Sequence, residues 1–477
     1  MCELIKVFLE NRNSNSIAII DSEGRNISYG VLINSSIYWA NYLNSINASD
    51  NIILFAGNCI EFVIGLYSIW ISKRTVVLAD ITKNAEDIEI MSKRYNCNVV
   101  IQSCLTENIN IEGSMSVVCD IREQQNSVEV CKRSFPKDAI IFQTSGTTHF
   151  SKSVPLSFVA VLAECKALKN AYLFDCNTID TIIFPITSVS GCLGQLVPIM
   201  YSSGTVLIYQ GKINIKKIAR IVSNSKATRL VCTPSIFSLI VKSTTVSVEA
   251  FKSINVFVLG GEPCDTMLCE IAKKKFPNAQ ITQAYGLTET SSALACSVNT
   301  NAPYESVGKI LENFVVQIVK DGIVLERDSI GEIEVKGASV TDGYYDDDEL
   351  TKASFDDGWF KTGDMGYIDN RNYLYVKGRI KNIIIVSGKN VCAEEVEQIL
   401  LRSEMVKKIH VYGCKSALTG EKIVADIVPE QEGNFDRKGL LAFCKQNLEA
   451  YMIPDIINIV PDIEIALSGK QVRKRNV

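Results

Sequence analysis

Residues 140–152 join a short apolar run to a group of hydroxyl side chains and a lysine. Ile140, Ile141 and Phe142 are typical of a buried strand, and small polar residues separate them from Lys152. Backbone amides, hydroxyls and one ammonium in such a turn can bind a phosphate chain. The candidate phosphate ligands are Thr144, Ser145, Gly146, Thr147, Thr148 and Lys152. The chain lacks a G-x-x-x-x-G-K-[ST] sequence, so this is not a Walker loop, and a plain polar turn is the alternative.

A second stretch of interest follows an apolar run that ends near residue 259. Its residues are Gly260, Gly261, Glu262 and Pro263. Paired glycines after a strand allow a flat group, such as a purine base, to approach the backbone closely. A tight turn with no ligand explains the same residues equally well.

A third stretch places an aromatic residue before two oxygen-bearing side chains. A strand ends at Tyr285, and Thr288 and Glu289 come directly after it. Tyr285 could stack on a base, Thr288 could bind a phosphate, and Glu289 could hold magnesium through its oxygens. The alternative is the start of a helix, with Thr288 as the N-cap and Glu289 favouring the helix dipole.

Charged residues near the end of the chain complete the set of candidates. Asp364 stands between glycines and suits a carboxylate that accepts hydrogen bonds from ribose hydroxyls, although a turn aspartate would look the same. Arg379 opens a polar, charged break, and Lys470 belongs to a basic tail. Such a tail is most often a solvated terminus.

The intervening sequence predicts the elements that must position these residues. Helical spacing of apolar residues over 29–43 and 61–72 alternates with apolar runs over 51–57 and 75–79, which read as buried strands. This alternation predicts crossover units around a largely parallel sheet. From residue 332 onward, short alternating strands predict an antiparallel sheet or small barrel. After the break at 378–382, a small α+β unit follows.

Composition narrows the class of protein. A chain of 477 residues with 47% hydrophobic and 21% charged residues is globular, and its length corresponds to about three domain-sized units. The net charge of −4 gives no reason to expect nucleic acid or an acidic membrane as partner. Sixteen scattered cysteines and the absence of a leader or a span of bilayer length predict a cytoplasmic protein with reduced thiols. Because only two histidines occur, His-based metal sites and a Ser-His-Asp hydrolase are disfavoured.

Taken together and in this order, the stretches resemble the adenylate-forming superfamily of acyl-CoA synthetases, luciferases and peptide-synthetase adenylation domains. The resemblance runs from Ile27 to Lys470 and is most specific between Gly343 and Asn382. It implies an α/β fold, with a large N-terminal domain of two α/β layers plus a small β-barrel, and a small mobile α+β C-terminal domain. Residues 1–380 would bind ATP and the acid, and residues 381–477 would move.

The resemblance also implies a role for each candidate in the N-terminal part. Residues 144–152 would hold the β- and γ-phosphates, and residues 260–263 would form the wall of the adenine site, with Tyr285 on the face of the base. Thr288 would contact the α-phosphate in catalysis. Glu289 would bind magnesium.

The remaining roles lie at the junction of the two parts and beyond it. Asp364 would bind the ribose hydroxyls, and Arg379 would reach ribose or phosphate. Lys381 stands at the position of the family's hinge. Lys470 matches the catalytic lysine that bridges the carboxylate and the α-phosphate. Rotation about Lys381 would then exchange Lys470 for another face of the small domain between two half-reactions.

The chain departs from the family pattern in the phosphate loop and at the hinge. His149, Ser151 and Ser153 stand where TSGTTG-x-PKG has Gly, Pro and Gly, so we expect backbone strain wherever a positive φ is needed. We also hypothesise that His149 donates a hydrogen bond to a phosphate oxygen. Around the hinge the replacements are Asn382, Ser387 and Ala393 for the commoner Asp, Gly and Pro.

The predicted reaction is acid adenylation followed by transfer of the acyl group to a thiol, either that of CoA or that of a carrier-protein phosphopantetheine acting in trans. Two alternatives remain open: an amide synthetase that uses an amine, and a non-catalytic relative that binds nucleotide. The turn at 185–191 contains no acidic residue to hold an α-ammonium group, so an aryl or modest-length acid without that group is favoured. The predicted acid pocket comprises Ser188, Val189, Gly191 and Ser235.

Overall fold

The computed structural model of the chain describes residues 2–103, 105–106, 113–122, 133–144, 152–386, 389–403, 405–416, 420–431 and 435–463. Helices and strands alternate over the first 290 residues, as the sequence predicts. The helices are α1 (Glu3–Glu10), α2 (Tyr29–Ser45), α3 (Ile60–Ile71), α4 (Ala85–Arg94), α5 (Phe158–Tyr172), α6 (Val189–Gly191), α7 (Val197–Tyr201), α8 (Ile215–Ser225), α9 (Pro234–Lys242), α10 (Thr266–Lys275), α11 (Asp348–Ser354), α12 (Ala393–Leu401) and α13 (Arg437–Asn447). A π-helix, Cys192–Leu196, joins α6 to α7.

The first of three sheets has six strands and lies in the N-terminal part. Its strands are β3 (Asn51–Phe55), β4 (Thr75–Ala79), β5 (Val99–Gln102), β6 (Met115–Val118), β7 (Asp138–Gln143) and β8 (Ser153–Ser157), preceded in the chain by β1 (Ile17–Asp21) and β2 (Asn26–Ser28). The spatial order is β6-β5-β3-β4-β7-β8, and only β8 runs antiparallel to its neighbour. The prediction of a largely parallel sheet is confirmed.

The second sheet has 15 strands and joins a parallel part to an antiparallel part. Besides β1 and β2 it contains β9 (Ile179–Ile182), β10 (Thr205–Ile208), β11 (Arg229–Cys232), β12 (Val256–Gly260), β13 (Gln280–Tyr285), β14 (Ala295–Cys296), β15 (Gly308–Ile310), β16 (Phe314–Lys320), β17 (Ile323–Val324), β18 (Gly331–Gly337), β19 (Phe355–Asp356), β20 (Trp359–Ile368) and β21 (Tyr373–Arg379). Strands β9 to β13 are parallel, whereas β14 to β21 pair antiparallel. The carboxyl ends of β12 and β13 therefore lie beside the start of the antiparallel part.

The third sheet has five strands and lies in the C-terminal part. Its strands are β22 (Ile383–Val386), β23 (Lys389–Cys392), β24 (Val406–Ser416), β25 (Gly420–Pro429) and β26 (Ile456–Ile459). Val396 and Leu400 of α12 and Leu440 of α13 are buried in a separate hydrophobic cluster with this sheet. The predicted boundary after residue 380 remains a prediction about how the two parts move.

The apolar segment around residues 60–71 is a core helix. Every residue of α3 is buried, and α3 packs on α2 and on strands β3 and β4. Within the described residues, none of the helices is both long enough and apolar enough to cross a bilayer.

A buried carboxyl group connects the helix after the phosphate loop to the segment after β13. Glu164 of α5 accepts hydrogen bonds from the backbone amide of Ala293 (2.9 Å) and from Asn313 Nδ2 (3.1 Å). Just before Ala293, Ser291 and Ser292 have φ values of 59° and 134°, which non-glycine residues rarely adopt. The contact with Glu164 therefore holds a strained turn in place.

We expect this carboxyl group to make stability depend on pH. Burial raises the pKa of Glu164 from 4.5 to about 8. Because the folded-state pKa is the higher one, its contribution to stability is complete below pH 4.5 and is lost as pH rises through about 8. Glu164→Gln, which cannot ionise, should gain stability relative to the parent over this range, by at most about 1.4 kcal/mol per pH unit.

Thermal melts of the parent and Glu164→Gln at pH 5.5 and 7.5 measure this effect. The pH dependence of all other groups cancels in the difference between the two Tm values. That difference should favour the variant more at the higher pH. A difference that does not change with pH would contradict the assignment.

Candidate functional site

The two ends of the predicted phosphate loop are held together by the hairpin of β7 and β8. The backbone amide of Thr144 donates to the carbonyl oxygen of Lys152 (2.9 Å), and Gln143 lies opposite Ser153 in the register. Thr144 and exposed Lys152 are thus placed at the mouth of the loop. Ser145, Gly146, Thr147, Thr148, His149 and Ser151 lie outside the described residues, and their roles remain predictions.

Ser153 stands where the family has glycine, but its backbone does not need a positive φ. It lies in β8, outside the left-handed region, and its side chain is buried. Its hydroxyl is 2.6 Å from the hydroxyl of Tyr95, and its carbonyl oxygen accepts from the amide of Tyr345 (2.9 Å). Strain is expected only where a positive φ is needed, and it does not arise at Ser153; the hydroxyl of Tyr95 provides a hydrogen-bond partner for its buried side chain.

The predicted magnesium ligand, Glu289, lies in a short 3-10 turn. That turn spans Thr288–Thr290, and Thr290 Oγ1 accepts from the amide of Leu287 (2.9 Å). A longer helix capped by Thr288, the alternative from the sequence, is therefore wrong. Glu289 is half-buried, and its Oε1 accepts from the hydroxyl of Tyr344 (2.8 Å). A partly exposed carboxylate fits Mg²⁺, which proteins bind through one or two carboxylates together with substrate phosphates.

Tyr344 is a site residue that the sequence did not single out. Besides its hydrogen bond to Glu289, its ring lies under the ammonium of Lys152, with 5.1 Å between Lys152 Nζ and the ring centroid. Its position after Gly343, inside the most family-specific run of the chain, is the only signal that could have indicated it.

The predicted nucleoside ligands come together in one network. Asp364 is buried in β20, where its Oδ1 pairs with Arg379 Nε (2.8 Å) and its Oδ2 accepts from the hydroxyl of Tyr285 (2.6 Å). Burial and the charge of Asp364 raise the pKa of Tyr285 well above its usual value, so the phenol keeps its proton and donates. Because Asp364 lies within a strand, the alternative of a turn aspartate is wrong.

The predicted wall of the adenine site follows β12, beside the end of β13. Gly260 pairs with Ala284, next to Tyr285, and Gly261 has a φ of 81° that favours glycine. Glu262 Oε2 accepts from the hydroxyl of Ser235 (2.6 Å). The structure thus brings Ser235, predicted for the acid pocket, to the predicted adenine wall.

The turn of the predicted acid pocket is closed by its own serine. Ser188 Oγ donates to the carbonyl of Pro185 (2.7 Å) and accepts from the amide of Gly191 (3.1 Å). A Cβ on Gly191 would lie 2.4 Å from the carbonyl oxygen of Pro185, so only glycine fits. Half-buried Val189 lies between them. Their contacts with an acid remain predictions.

An acidic residue that the sequence did not indicate lies beside this turn. Asp80 follows β4 and accepts a hydrogen bond from Thr187 Oγ1 (2.8 Å). The turn itself is neutral, as the sequence shows, but a carboxylate reaches it from a strand 107 residues earlier in the chain.

Comparison with known proteins supports the resemblance to the adenylate-forming superfamily. The AMP-binding enzyme family matches residues 9–345, and the AMP-binding enzyme C-terminal domain matches residues 395–470. The chain belongs to the AMP-binding enzyme family. It is 32% identical over 347 residues to 2-succinylbenzoate–CoA ligase of Listeria monocytogenes, covering 71% of this chain and 69% of the relative. It is 25% identical over 456 residues to oxalate–CoA ligase of Arabidopsis thaliana, covering 90% and 88%.

The fold agrees as well. ATP-bound MatB from Rhodopseudomonas palustris superimposes with a TM-score of 0.88, at 21% identity, over 98% of this chain and 97% of that one. The predicted superfamily, the α/β fold with its two unequal parts, and the class of acid–thiol ligase are confirmed.

In this AMP-binding enzyme, Cys392 of the C-terminal part contacts Lys377 of the N-terminal part near the predicted hinge. Lys381 lies in a 3-10 turn, and the next residue, Asn382, donates to Glu394 Oε1 (2.6 Å). Cys392 Sγ donates to the carbonyl of Lys377 (2.9 Å). An aspartate at position 382 would repel Glu394, so the asparagine suits this chain. Lys470 and Ser387 lie outside the described residues.

An ion pair provides a second contact between the two parts. Arg402 Nε at the end of α12 is 3.0 Å from Asp265 Oδ1 at the start of α10. The same oxygen accepts from the amide of Met267 and caps α10. Both side chains are about one third exposed, so the pair contributes modestly and is screened by salt.

We expect Asp265→Asn to loosen this contact while leaving α10 intact. Asparagine caps helices as well as aspartate does, so only the ion pair is lost. The fraction of molecules in which the C-terminal part is released from the N-terminal part should rise by up to about fivefold at low salt. Limited trypsin digestion near Lys381, followed by intact mass, should then be faster for the variant, and the difference should disappear in high salt.

Asp436→Asn is the matched control, because Asp436 caps α13 through the amide of Gly439 (2.9 Å). Its digestion rate should equal that of the parent. Equal rates for Asp265→Asn and Asp436→Asn at low salt would show that the ion pair does not hold the two parts together.

Proposed function

We propose that the chain joins a small carboxylic acid to AMP at the expense of ATP and passes the acyl group to the thiol of CoA. One observation carries the proposal: residues predicted for phosphate, metal and ribose come from distant stretches and meet beside the ends of β7, β12 and β13. Lys152 and Glu289 both contact Tyr344. Asp364 pairs with Arg379 and accepts a hydrogen bond from Tyr285, which lies four residues before Glu289 in the chain. The CoA ligases among its relatives support the thiol as acceptor.

The chemistry requires positive charge where two anions meet. An oxygen of the acid attacks the α-phosphorus, and the bond to pyrophosphate breaks. Lys152 would bind the phosphates, Asp364 would accept from the ribose hydroxyls, and Lys470 would bridge the carboxylate and the α-phosphate. Magnesium, held by Glu289, would supply further positive charge when bound.

The second half-reaction releases AMP. The sulfur of the thiol forms a bond to the acyl carbon, the bond from that carbon to the AMP oxygen breaks, and the thiol proton leaves to solvent. The adenylate is formed first because AMP is a good leaving group when the thiol attacks the acyl carbon. Movement of residues 381–477 about Lys381 would withdraw Lys470 and admit the thiol.

The acid is proposed to be small and to lack an α-ammonium group. The turn at 185–191 is neutral, and the named relatives act on oxalate and 2-succinylbenzoate. The absence of an α-ammonium group is the point to test, because the carboxylate of Asp80 beside Thr187 could hold an ammonium. The proposed location is the cytoplasm, consistent with the use of ATP and CoA.

A pyrophosphate-release assay over a panel of acids tests the function. The panel contains oxalate, 2-succinylbenzoate, benzoate, a medium-chain fatty acid and an α-amino acid, each with CoA, a phosphopantetheinylated carrier protein or a free amine. We expect release with at least one non-amino acid, and an acyl-CoA product. Products formed only with the amine would indicate an amide synthetase. No release by folded protein that binds ATP would indicate a non-catalytic relative.

Lys470→Ala separates the two half-reactions. The variant should lose about 100- to 1000-fold in pyrophosphate release, since charge stabilisation in the transition state is removed. Conversion of synthetic acyl-AMP and CoA to acyl-CoA should stay near the parent rate. Equal loss in both steps would contradict the role of Lys470. His149→Gly in the same assay tests the hydrogen bond to phosphate, and an unchanged rate would remove that role.

A further inference from the structure

Tyr344 contacts the two oppositely charged groups of the proposed phosphate and magnesium site. Its hydroxyl donates to Glu289 Oε1 (2.8 Å), and Lys152 Nζ lies 5.1 Å from its ring centroid. The ammonium of Lys152 contacts the ring, whereas the carboxylate of Glu289 contacts the hydroxyl. A single side chain therefore holds both charges at different ends.

The position of Tyr344 is fixed by its neighbours on both sides. Its backbone amide donates to Thr351 Oγ1 (2.9 Å), and the next amide, of Tyr345, donates to the carbonyl of Ser153 (2.9 Å). The amide of Thr341 donates to the carbonyl of Glu289 (2.8 Å). The segment that carries Tyr344 thus joins the hairpin below Lys152 to the turn that carries Glu289.

The environment keeps the tyrosine hydroxyl as a donor. The side chain is buried, and its hydroxyl lies 2.8 Å from Glu289 Oε1, an acceptor to which a phenol donates. A neutral donor fixes the direction of a carboxylate and leaves its negative charge intact. A direct pair between Lys152 and Glu289 would instead cancel the charges that the phosphates and the metal need.

We propose that Tyr344 is a positioning residue, whose hydroxyl orients Glu289 towards magnesium and whose ring holds Lys152 towards the phosphates. It also keeps Lys152 and Glu289 from pairing with each other. This inference rests on the proposed function, since both charged groups act on the magnesium-nucleotide. It assigns the two ends of Tyr344 separate effects, which two substitutions can separate.

Tyr344→Phe removes the hydroxyl and keeps the ring. Its affinity for ATP without metal should stay within about twofold of the parent, because the cation–π contact remains. The Mg²⁺ concentration that gives half of the metal-dependent gain in ATP affinity should rise by about 10-fold or more, as is typical when a hydrogen bond to a metal ligand is lost. Titration calorimetry of ATP at a series of Mg²⁺ concentrations, and in EDTA, measures both quantities.

Tyr344→Leu removes the ring as well. In addition to the effect on Mg²⁺, it should weaken ATP binding in EDTA by about two- to fivefold through the loss of the contact with Lys152. Tyr345→Phe is the matched control, because the Tyr345 ring packs against Tyr95 (4.9 Å between centroids) on the other side of the segment. It should resemble the parent in both titrations.

The titrations distinguish failure of this inference from failure of the proposed function. A Tyr344→Phe protein with the Mg²⁺ dependence of the parent would overturn the inference and leave the proposed function standing. Equal losses with metal and in EDTA would also overturn it, because they would indicate general damage to the site. If the parent binds no ATP in the presence of Mg²⁺, the proposed function and the inference both fail.

Discussion

The carboxylates of this site must be fixed in direction without losing their charge, and neutral hydroxyl groups meet this constraint. Each of three acidic residues predicted to contact the magnesium-nucleotide accepts one short hydrogen bond from a hydroxyl. The pairs are Glu289 with Tyr344, Asp364 with Tyr285, and Glu262 with Ser235. A hydroxyl restricts the rotation of a carboxylate, whereas a lysine in the same place would neutralise it. Asp364 also pairs with Arg379, whose Nε lies 2.8 Å from Asp364 Oδ1.

The fold delivers these groups from opposite directions. The hairpin of β7 and β8 presents Lys152, the parallel strands β12 and β13 end at Gly260 and Tyr285, and the antiparallel strand β20 carries Asp364. Because the parallel and antiparallel strands belong to one hydrogen-bonded sheet, their relative positions are rigid. Among the described residues, the polar contacts of the C-terminal part with the N-terminal part include the hydrogen bond from Cys392 to Lys377 and one partly exposed ion pair. Such contacts suit the proposed movement of residues 381–477.

Much of this arrangement could be predicted from sequence, because it depends on local pattern. Alternating apolar runs indicated the parallel strands, and strands that end in polar residues indicated the site. The contacts of Tyr344, Asp80 and Ser153 could not be predicted in this way. Each contact joins residues at least 55 positions apart in the chain, so the spacing of residues within one helix or strand does not indicate it. Tyr95, the partner of Ser153, follows α4, so the sequence around residue 153 gives no indication of it.

In the proposed first half-reaction, an oxygen of the acid attacks the α-phosphorus of ATP. An acid labelled with ¹⁸O in both carboxylate oxygens, incubated with ATP, Mg²⁺ and CoA, tests it directly through the mass of the products. We expect AMP that carries one labelled oxygen, since that oxygen stays on phosphorus when the thiol takes the acyl group. Unlabelled AMP formed along with acyl-CoA, or label found in inorganic phosphate, would contradict it.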